Sequence, residues 1–217
     1  MADKVTLYTA PTPNGHPISI FLEELGTPYD VVAMSIKDSD IGQVHNQVKS
    51  PWFLEINPNG RIPAITHNGF NVFETSAILL YLAAEFDKEN KFGYNPSQSP
   101  KEYSELLQWL FFTHGGIGPM EGQAAHFLRA SEKIPYAQNR YVNETKRLFG
   151  VLESRLSKFD YLVGNKYTIA EIKTVPWVSK AGLLGIDLEK EFPKVKAWIQ
   201  RVESRSAFQK GSQVPQQ

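Results

Sequence analysis

Cysteine is absent from the 217-residue chain. This absence excludes disulfide bonds, thiolate metal sites and a cysteine nucleophile, so any thiol chemistry must use a thiol that a ligand brings. The five histidines show no spacing typical of metal ligands, and His114 and His126, for example, are twelve residues apart. We therefore predict that the protein holds no metal ion.

An excess of charge of either sign is also missing, because 23 basic residues balance 23 acidic ones. The chain thus lacks the basic footprint of proteins that bind nucleic acid or anionic lipid. No apolar run approaches the ~20 residues that a membrane-spanning helix needs. The first residues lead into a strand pattern without the apolar core of a signal peptide. We expect no nucleic-acid or membrane partner and a cytoplasmic location.

The periodicity of apolar residues divides the chain into two parts. Residues 1–87 follow the order β-α-β, then β-β-α, whereas residues 88–100 have the Asn, Gly, Ser and Pro content of a linker. Residues 101–217 show helical patterns alone. The predicted fold class is a small α/β domain followed by an all-α domain. Strands are predicted over residues 5–8, 29–34, 61–66 and 70–72, and helices over residues 14–25, 52–56 and 76–86.

In the second part, a long helix is predicted from about Lys101, and the run Gly115–Pro119 should kink or break it. Thr168 and Glu171 have the spacing of a capping box, which predicts that a helix begins there. The other patterns are typical of amphipathic helices that surround one core. After the long helix, further helices are predicted over residues 135–158, 168–184 and 192–202.

A proline lies inside an apolar, strand-like run at Asn57–Ile65. Pro63 has no N–H, so it cannot serve a central strand ladder. It is compatible with a strand start, especially in the cis form, where it would turn the preceding backbone toward a ligand. Ile62 would then offer its N–H and C=O to an extended peptide.

An acid and a hydroxyl residue, Glu74 and Thr75, follow the second strand of the predicted hairpin. Glu74 would meet the ammonium group of a bound peptide, and the helix start near Thr75 would meet its carboxylate. These features fit a small peptide that carries both charges on one residue. Glutathione is such a peptide.

With these two motifs, the chain resembles glutathione transferases over nearly its whole length. Within that family it resembles the fungal branch related to the yeast nitrogen-regulator prion protein, and the bacterial nu class. The resemblance implies the glutathione transferase fold, with a thioredoxin-like N-terminal domain and an all-α C-terminal domain, glutathione as co-substrate, and a homodimer. The further motifs that carry it are Pro11–His16, Gln108–Phe112, Gly118–Gln123, His126–Phe127 and Arg140–Tyr141.

The resemblance makes Asn14 the leading residue for activating the glutathione thiol, through a hydrogen bond from its amide to the sulfur. Its place at the predicted start of the first helix favours an anion, although Asn is also a preferred N-cap residue there. Thr12 is a second donor to the sulfur. Tyr8 follows the first strand, as the catalytic tyrosine of other glutathione transferase classes does, and packing within the sheet is its alternative role.

The resemblance also implies glutathione contacts around Val48 and Lys49, together with Ile62, Pro63, Glu74 and Thr75. The branch often has a polar residue where this chain has Val48, and Gln47, Lys49 and His45 are the candidates to replace it. The family usually has Ser where this chain has Thr75, which keeps the hydroxyl and adds a methyl group. Arg140 suits a carboxylate of glutathione bound in its own subunit or in a partner subunit. The alternative role of Arg140 is a surface salt bridge.

The second substrate is predicted to occupy a pocket between the domains, lined by aromatic side chains. Packing in the helical core is the alternative for the residues of the second domain. The predicted lining residues are Tyr8, Trp109, Phe112, His126 and Phe127.

The predicted function is that of an enzyme that activates glutathione, either for conjugation to hydrophobic electrophiles or for reduction of disulfides and peroxides. The resemblance favours the thiol–disulfide reaction. One alternative is a non-catalytic regulatory protein that binds glutathione. Another is a dedicated conjugating step in fungal secondary metabolism, which the sequence does not separate from detoxification.

Overall fold

The computed structural model describes residues 4–215, which form two units. The first unit extends to Glu89 and includes the C-terminal residues from Arg205 onward, and the second covers Asn90–Ser204. The sequence-based division placed every residue from 101 onward in one domain. The two divisions differ mainly at the C terminus, and the predicted linker over residues 88–100 stays a prediction.

A four-stranded mixed sheet forms the centre of the first unit. Its strands are β1 (Val5–Thr9), β2 (Tyr29–Ala33), β3 (Ala64–His67) and β4 (Phe70–Phe73). They lie in the order β2-β1-β3-β4, with β1 parallel to β2 and the other pairs antiparallel. The thioredoxin-like prediction for this part of the chain is confirmed.

Three helices belong to this unit besides its C-terminal segment: α1 (His16–Leu25) and α2 (Pro51–Ile56) lie between strands, and α3 (Thr75–Phe86) follows β4. Gly26 ends α1 in the left-handed conformation, with φ 65°, which glycine adopts without strain. The predicted start of α1 at Asn14 is two residues early, because Gly15 occupies the N-cap position. The interpretation of Asn14 as a plain N-cap residue is therefore wrong.

Side-chain alternation separates the two faces of the sheet. Ala64 and His67 are three positions apart in β3, so they face opposite sides. His67 Nδ1 lies 2.8 Å from the hydroxyl of Tyr81 in α3. Ala64 belongs to an apolar cluster with Phe53 of α2, and Tyr8 of β1 packs against that cluster. Thus α2 and α3 cover opposite faces of the sheet.

A short C-terminal helix, α10 (Ser206–Gly211), packs on α1. The Ser19 hydroxyl donates to the Gly211 carbonyl at 2.7 Å. The Arg205 guanidinium makes two hydrogen bonds, of 2.6 and 2.8 Å, to the carboxylate of Glu24. These contacts explain why the C terminus groups with the first unit, a feature that the sequence analysis missed.

The second unit is helical, as predicted. Within residues 4–215, no helix is both long enough and apolar enough to cross a membrane. The helices of this unit are α4 (Pro100–Phe112), α5 (Gly118–Arg129), α6 (Pro135–Leu156), α7 (Ile169–Val178), α8 (Leu188–Glu191) and α9 (Pro193–Glu203).

The glycine-rich run after α4 does not end the helix. Residues Thr113–Ile117 form a π-helical turn, and the Gly118 N–H donates to the Thr113 carbonyl, five residues earlier. A Cβ on Gly118 would lie 3.3 Å from the ring of Trp177, so the glycine lets this segment approach α7 closely. The run therefore changes the type of helix. Of the predicted kink or break, the break is wrong, and the kink stays a prediction.

The capping box at the start of α7 is confirmed, but the predicted end of the helix is wrong. The helix ends at Val178, and Ala181–Leu184 form a separate 3₁₀ turn. The Lys180 N–H bonds the Trp177 carbonyl, three residues earlier, so the backbone tightens here. Apolar residues continue at helical spacing through this change, which is why the pattern predicted one helix through Leu184.

Candidate functional site

The turn that precedes β3 is held by the buried side chain of Asn57. Its amide donates to the Arg61 carbonyl at 2.7 Å, and its Oδ1 accepts from the Asn59 N–H at 3.0 Å. Gly60 has φ 59°, in the left-handed region that favours glycine. Together these features fix the path of the chain into Ile62–Pro63.

The peptide bond between Ile62 and Pro63 is cis, the form that the sequence favours. Because β3 begins at Ala64, Pro63 precedes the ladder, in agreement with its missing N–H. Among residues 4–215, no backbone group bonds the N–H or the C=O of Ile62. Both main-chain groups thus have free hydrogen-bonding capacity for an extended ligand.

Lys49 lies beside this turn. A Cβ on Gly60 would lie 2.7 Å from Lys49 Nζ, so the glycine makes room for the lysine side chain. The Lys49 ammonium donates to the Asn59 carbonyl at 3.0 Å, and the side chain is exposed. This contact places a positive charge next to the turn.

Unlike Lys49, Val48 and Gln47 have buried side chains that contact other parts of the protein. The Val48 side chain is 2% exposed and packs with Phe53 in the apolar cluster, so Val48 can offer a ligand only its backbone. Gln47 is buried, accepts from the Lys49 N–H and donates to the Lys37 carbonyl at 3.2 Å. Neither side chain replaces the polar residue that the branch often has, and Lys49 is the charged candidate on this side.

Glu74 occupies the N-cap position of α3 with φ 71° and ψ 117°. A positive φ is uncommon for a residue other than glycine and costs about 1–3 kcal/mol, and such strain clusters at binding and catalytic positions. The side chain is exposed and makes no capping bond to the helix. The N-terminal end of α3 carries the positive end of the helix dipole, which favours an anion.

Thr75 and Asn14 are joined by a hydrogen bond. The Thr75 hydroxyl donates to the Asn14 carbonyl at 3.2 Å, although the two residues are 61 positions apart. Thr75 is 4% exposed. The two predicted subsites, one for the thiol and one for the γ-glutamyl group, are therefore in direct contact.

The loop before α1 is shaped by bonds within itself. The Thr12 N–H donates to the Ala10 carbonyl at 2.8 Å, and Thr12 Oγ1 accepts from the Gly15 N–H at 3.1 Å. Because this hydroxyl accepts, its proton remains for donation to a ligand. A Cβ on Gly15 would collide with the Thr9 hydroxyl and the Ala10 carbonyl, so only glycine fits this N-cap position.

Strand register brings these segments to one end of the sheet. Ala64 lies opposite both Tyr8 and Phe73. Consequently the loop after β1, the turn before β3 and Glu74 after β4 all leave the sheet at the same end. The structure thus brings Thr12, Asn14, Ile62, Pro63, Glu74 and Thr75 to one region of the first unit.

Tyr8 lies in a different environment from Asn14. Its ring contacts Trp52 and Phe53, with centroids 6.0 and 5.8 Å apart, on the face of the sheet that α2 covers. Thr66 Oγ1 lies 3.4 Å from its hydroxyl. These contacts agree with packing, the alternative that the sequence analysis named for Tyr8.

The aromatic candidates of the second unit form two separate groups. Trp109 and Phe112 of α4 meet edge to face with centroids 5.6 Å apart. In α5, Phe127 stacks on Tyr141 at 5.5 Å and 8°, and His126 meets Phe127 edge to face. All except the exposed His126 are partly buried. Both groups contain ring faces and edges suited to apolar contacts.

Arg140 is exposed on α6 and lines a groove of about 530 Å³ with Met120 and Tyr136. Glu144 accepts two hydrogen bonds, of 2.7 and 2.8 Å, from Arg147. Arg147 lowers the pKa of Glu144, and the charge of Arg140 contributes to the same direction. The direct ion pair of Glu144 is therefore with Arg147 and not with Arg140.

Glu121 in α5 is a buried acid that was not predicted from the sequence. It is 3% exposed, and burial raises its pKa to about 8. Its Oε1, like the buried Thr145 hydroxyl of α6, has no hydrogen-bond partner within the described part of the chain. The only signal in the sequence was the spacing, because Glu121 stands three residues from the small residues Gly118 and Ala124 on either side. Both of these residues are buried in the structure.

Family models match both parts of the chain. The model of the glutathione S-transferase N-terminal domain matches residues 3–84, and that of the C-terminal domain matches residues 119–206. The chain belongs to the glutathione transferase family. The predicted family and fold class are therefore confirmed.

Relatives in this family carry several functions. Disulfide-bond oxidoreductase YfcG of Escherichia coli is 42% identical over an alignment of 211 positions, which covers 94% of this chain and 92% of that protein. Glutathione S-transferase 2 of Schizosaccharomyces pombe is 38% identical over an alignment of 220 positions, gaps included, which covers 93% of this chain and 92% of that protein. Transcriptional regulator URE2 of Saccharomyces cerevisiae is 33% identical over an alignment of 231 positions, gaps included, which covers 90% of this chain and 63% of that protein.

A solved relative contains glutathione. The glutathione transferase homolog from Lodderomyces elongisporus, with two GSH per subunit, is similar with a TM-score of 0.88 and 41% identity. The match covers 98% of this chain and 99% of that one.

Within residues 4–215 of the present chain, no three His, Asp or Glu side chains lie together as a metal site would require.

Proposed function

We propose that the protein is a glutathione-dependent enzyme that activates the glutathione thiol for attack on a disulfide, with electrophiles and peroxides as further substrates. The observation that supports this most is the hydrogen bond between Thr75 and Asn14. It joins the residue proposed to activate the thiol to the helix start proposed to hold the γ-glutamyl group.

Glutathione would lie along the end of the sheet. Glu74 receives the γ-glutamyl ammonium group, and backbone N–H groups at the start of α3, that of Thr75 among them, receive the neighbouring carboxylate. The Ile62 main chain before cis-Pro63 pairs with the cysteinyl residue. Lys49 serves the glycine carboxylate, with the backbone of Val48 beside it. Positive and negative groups of the site thus match those of the ligand.

The thiol would be activated at the loop before α1. Asn14 donates from its amide to the sulfur, and Thr12 donates its hydroxyl proton. Gly15, and not Asn14, caps the helix, so capping does not account for the asparagine. Donors directed at the sulfur favour the thiolate and lower its pKa.

Lowering the pKa of the thiol contributes only a small part of the acceleration. If the site lowers the thiol pKa by ~2 from ~8.5, the thiolate fraction at pH 7 rises about 25-fold. Nucleophilicity falls with pKa, with a Brønsted slope of about 0.45, so about 8-fold is lost. The net gain is about threefold. Most of the acceleration must therefore come from holding the thiolate beside its target.

A disulfide is the favoured second substrate because of the relatives. One is a disulfide-bond oxidoreductase, and the similar Lodderomyces structure holds two GSH per subunit. The first thiolate attacks one disulfide sulfur and releases the other as a thiolate. A second glutathione thiolate then attacks the mixed disulfide, which yields oxidised glutathione and a second product thiol.

The residues of the second unit complete the proposal. Trp109, Phe112, His126 and Phe127 contact the apolar part of the second substrate, and Tyr8 contributes from the first unit. Arg140 binds a glutathione carboxylate. We further propose a homodimer, in which Arg140 serves the site of the partner. Sedimentation at micromolar concentration should give twice the 24.5 kDa of one chain.

The similarity to URE2 supports a second candidate, a regulator that binds glutathione without turnover. One experiment separates the two functions. Glutathione binding is measured by calorimetry, and turnover with hydroxyethyl disulfide, cumene hydroperoxide and 1-chloro-2,4-dinitrobenzene. We expect binding and the fastest turnover with the disulfide. Binding without turnover would favour the regulator, and absence of binding would contradict both functions.

A further inference from the structure

We propose that the turn between β3 and β4 is a site of self-modification, at which Asn68 is deamidated by attack of the Gly69 nitrogen. This inference does not depend on the proposed glutathione chemistry. The pair Asn–Gly occurs three times in the chain, beginning at Asn14, Asn59 and Asn68. Because glycine has no side chain to obstruct its nitrogen, the local sequence makes the three pairs equally reactive. The structure distinguishes them.

The reaction needs a backbone nitrogen that is able to attack and a nitrogen that leaves as ammonia. The Gly69 nitrogen forms a bond to Cγ of Asn68, and the bond between Cγ and Nδ2 breaks. The proton of the Gly69 N–H passes to solvent, and Nδ2 gains a proton as it leaves. Water then opens the cyclic succinimide at either carbonyl, which yields aspartate or isoaspartate. Water is the only co-reactant.

Hydrogen bonds of the glycine N–H separate the three pairs. The Gly15 N–H donates to the Thr12 carbonyl at 3.0 Å and to the Thr12 hydroxyl at 3.1 Å. The Gly60 N–H donates to the Asn57 carbonyl at 2.9 Å. The Gly69 N–H makes no such bond within residues 4–215, and Gly69 is exposed, whereas the other two glycines are buried. Attack at the first two pairs therefore requires a local opening that the third does not need.

The form of the turn explains this difference. His67 and Phe70 pair across the hairpin, so Asn68 and Gly69 form a two-residue loop. Both loop residues have a positive φ, of 49° and 79°, as in the type I′ turn that favours Asn–Gly. The ladder bonds belong to the flanking pair, which leaves the Gly69 N–H outside the ladder.

A buried histidine lies beside the nitrogen that leaves. His67 Nε2 is 3.3 Å from Asn68 Nδ2, and His67 is 3% exposed. Nδ1 of the same ring lies 2.8 Å from the Tyr81 hydroxyl, which can donate or accept and so orients the ring in either tautomer. The rings of Tyr81 and Phe86 pack against the imidazole. The imidazole is thus placed to deliver the proton with which ammonia leaves.

The products differ from the parent chain in charge and in main-chain length. The formal net charge of the chain is zero, so one added carboxylate makes it −1 and moves the pI below the present value of about 7.0. Isoaspartate also adds a methylene group to the main chain. The two-residue loop then no longer matches the register in which His67 pairs with Phe70.

The test follows the full-length protein during incubation in native buffer and in urea. Cleavage after lysine and arginine places the three Asn–Gly pairs in separate peptides, and mass spectrometry measures the conversion of each. In urea the three pairs should convert at similar rates, because the local sequence alone then acts. In the folded protein we expect Asn68 to convert at least tenfold faster than Asn14 and Asn59, which corresponds to about 1.4 kcal/mol of local opening at the two slower sites.

Two variants isolate the proposed residue. Asn68→Gln lengthens the side chain, so cyclisation would need a larger ring, and we expect no acidic species on ion exchange at the position where Asn68→Asp elutes. Asn71→Gln is the matched control, since it changes a nearby exposed asparagine of β4. This control should form the acidic species at the wild-type rate.

A further variant tests the imidazole. We expect His67→Gln to slow conversion of Asn68 in the folded protein by about tenfold, less than the 10²–10⁴ typical of an enzymatic proton donor, because water can also supply the proton at an exposed turn. In urea the variant should match the wild type. Should His67→Gln not fold, Tyr81→Phe removes the hydroxyl that orients the ring and should slow conversion in the same direction.

Three results would count against the inference. Equal conversion of the three pairs in the folded protein would show that the bonds of the glycine N–H groups do not control the reaction. Slowing of Asn68 by folding as strongly as Asn14 and Asn59 would show that the turn protects it. An unchanged rate in folded His67→Gln would remove the imidazole from the reaction.

Discussion

Two regions of the molecule differ in how their buried polar groups are hydrogen-bonded. One is the end of the sheet in the first unit, and the other is the contact between α5 and α6 in the second unit. In the first unit, the buried Thr75 hydroxyl bonds Asn14 across 61 positions. In the second, Glu121 Oε1 and the Thr145 hydroxyl are buried without a partner among the described residues. A bonded polar group can position a segment, whereas an unpartnered one raises the free energy of the fold. Burial alone therefore does not identify a functional residue.

Contacts along the helix pair indicate the level at which each of the two unpartnered groups lies. Phe127 stacks on Tyr141, and a Cβ on Gly116 would meet Leu148 at 3.3 Å. Contacting residue numbers thus run in opposite directions along α6 and along the segment formed by the π-helical turn and α5, and interpolation gives Thr145 about the same level as Glu121.

The largest expected effect concerns Glu171, a buried acid of the same unit that has partners. Its carboxylate accepts from the N–H groups of Leu162 and Thr168 and from the Thr168 hydroxyl. Glu171→Ala would leave these buried donors unpaired, and we expect it to lower the free energy of unfolding by about 4 kcal/mol. Urea denaturation measures this. Glu132→Ala, at an exposed loop position, should change it by less than about 0.5 kcal/mol, and an equal loss in both variants would contradict the argument.

These glutamates also show how much the sequence could predict. The capping box of Thr168 and Glu171 is a local pattern, so spacing alone predicted it correctly. The environment of Glu121 depends on how α5 and α6 pack, which local spacing does not specify. The bond between Thr75 and Asn14 has the same origin, since it joins segments that are distant in the chain.

Within the predicted site, the main chain was easier to anticipate than the side chains. The missing N–H of Pro63 is a property of the residue itself, and the cis bond follows the prediction. Val48 was assigned to the site by resemblance, yet its side chain packs in the apolar cluster. The N-cap residue is Gly15 and not Asn14, and the close approach of Thr9 and Ala10, which leaves no room for a side chain at position 15, depends on loop packing that the local pattern does not specify.

The next effect is a pH dependence caused by Glu121. Burial raises the pKa of the folded carboxyl to about 8, from 4.5. Between these values the folded state binds a proton that the unfolded state has lost, so the free energy of unfolding falls as pH rises. We expect a loss of about 3 kcal/mol between pH 5 and 8 in the wild type relative to Glu121→Gln.

Denaturation of both proteins at several pH values measures this difference. Burial also raises the pKa of Glu171 and Glu203, so both proteins share their contribution and only the difference between the two curves reports on Glu121. Parallel curves would mean that Glu121 is ionised in the folded protein and has a partner.

Asn14→Ala tests the first unit, where bonded groups are expected to act in function. Loss of a donor to a charged acceptor costs about 2 kcal/mol, so we expect turnover to fall about 30-fold. The Michaelis constant for glutathione should change less, because the donor matters most when sulfur is charged. The lower limb of the pH–rate profile should move to higher pH.

Two variants serve as comparisons for Asn14. Thr12→Ala should give a smaller change of the same kind. Tyr8→Phe should leave the limb in place, since Tyr8 packs on Trp52 and Phe53. If the lower limb of the pH–rate profile shifts in Tyr8→Phe but not in Asn14→Ala, thiol activation would be assigned to Tyr8.

Glu74→Gln separates glutathione binding from activation of the thiol. The variant keeps the shape of the side chain and removes its charge, so we expect the Kd for glutathione to rise about tenfold. The ionisation midpoint of the bound thiol should not change. Glu55→Gln, at an exposed position of α2, is the control. An unchanged Kd in calorimetry would exclude Glu74 from the γ-glutamyl subsite.

The smallest effect compares two fully buried threonines of the second unit, Thr145 and Thr174. The Thr174 hydroxyl lies 2.6 Å from the Thr113 hydroxyl and donates to the Ala170 carbonyl at 2.7 Å. We expect Thr174→Val to lower the free energy of unfolding by about 1 kcal/mol, because it leaves a buried partner unpaired. Thr145→Val removes a hydroxyl that bonds no described residue, so it should be neutral or stabilise by up to about 1 kcal/mol. An equal loss in both would show that the Thr145 hydroxyl has a partner such as an internal water, and Glu121, at the same level, would then be expected to share it.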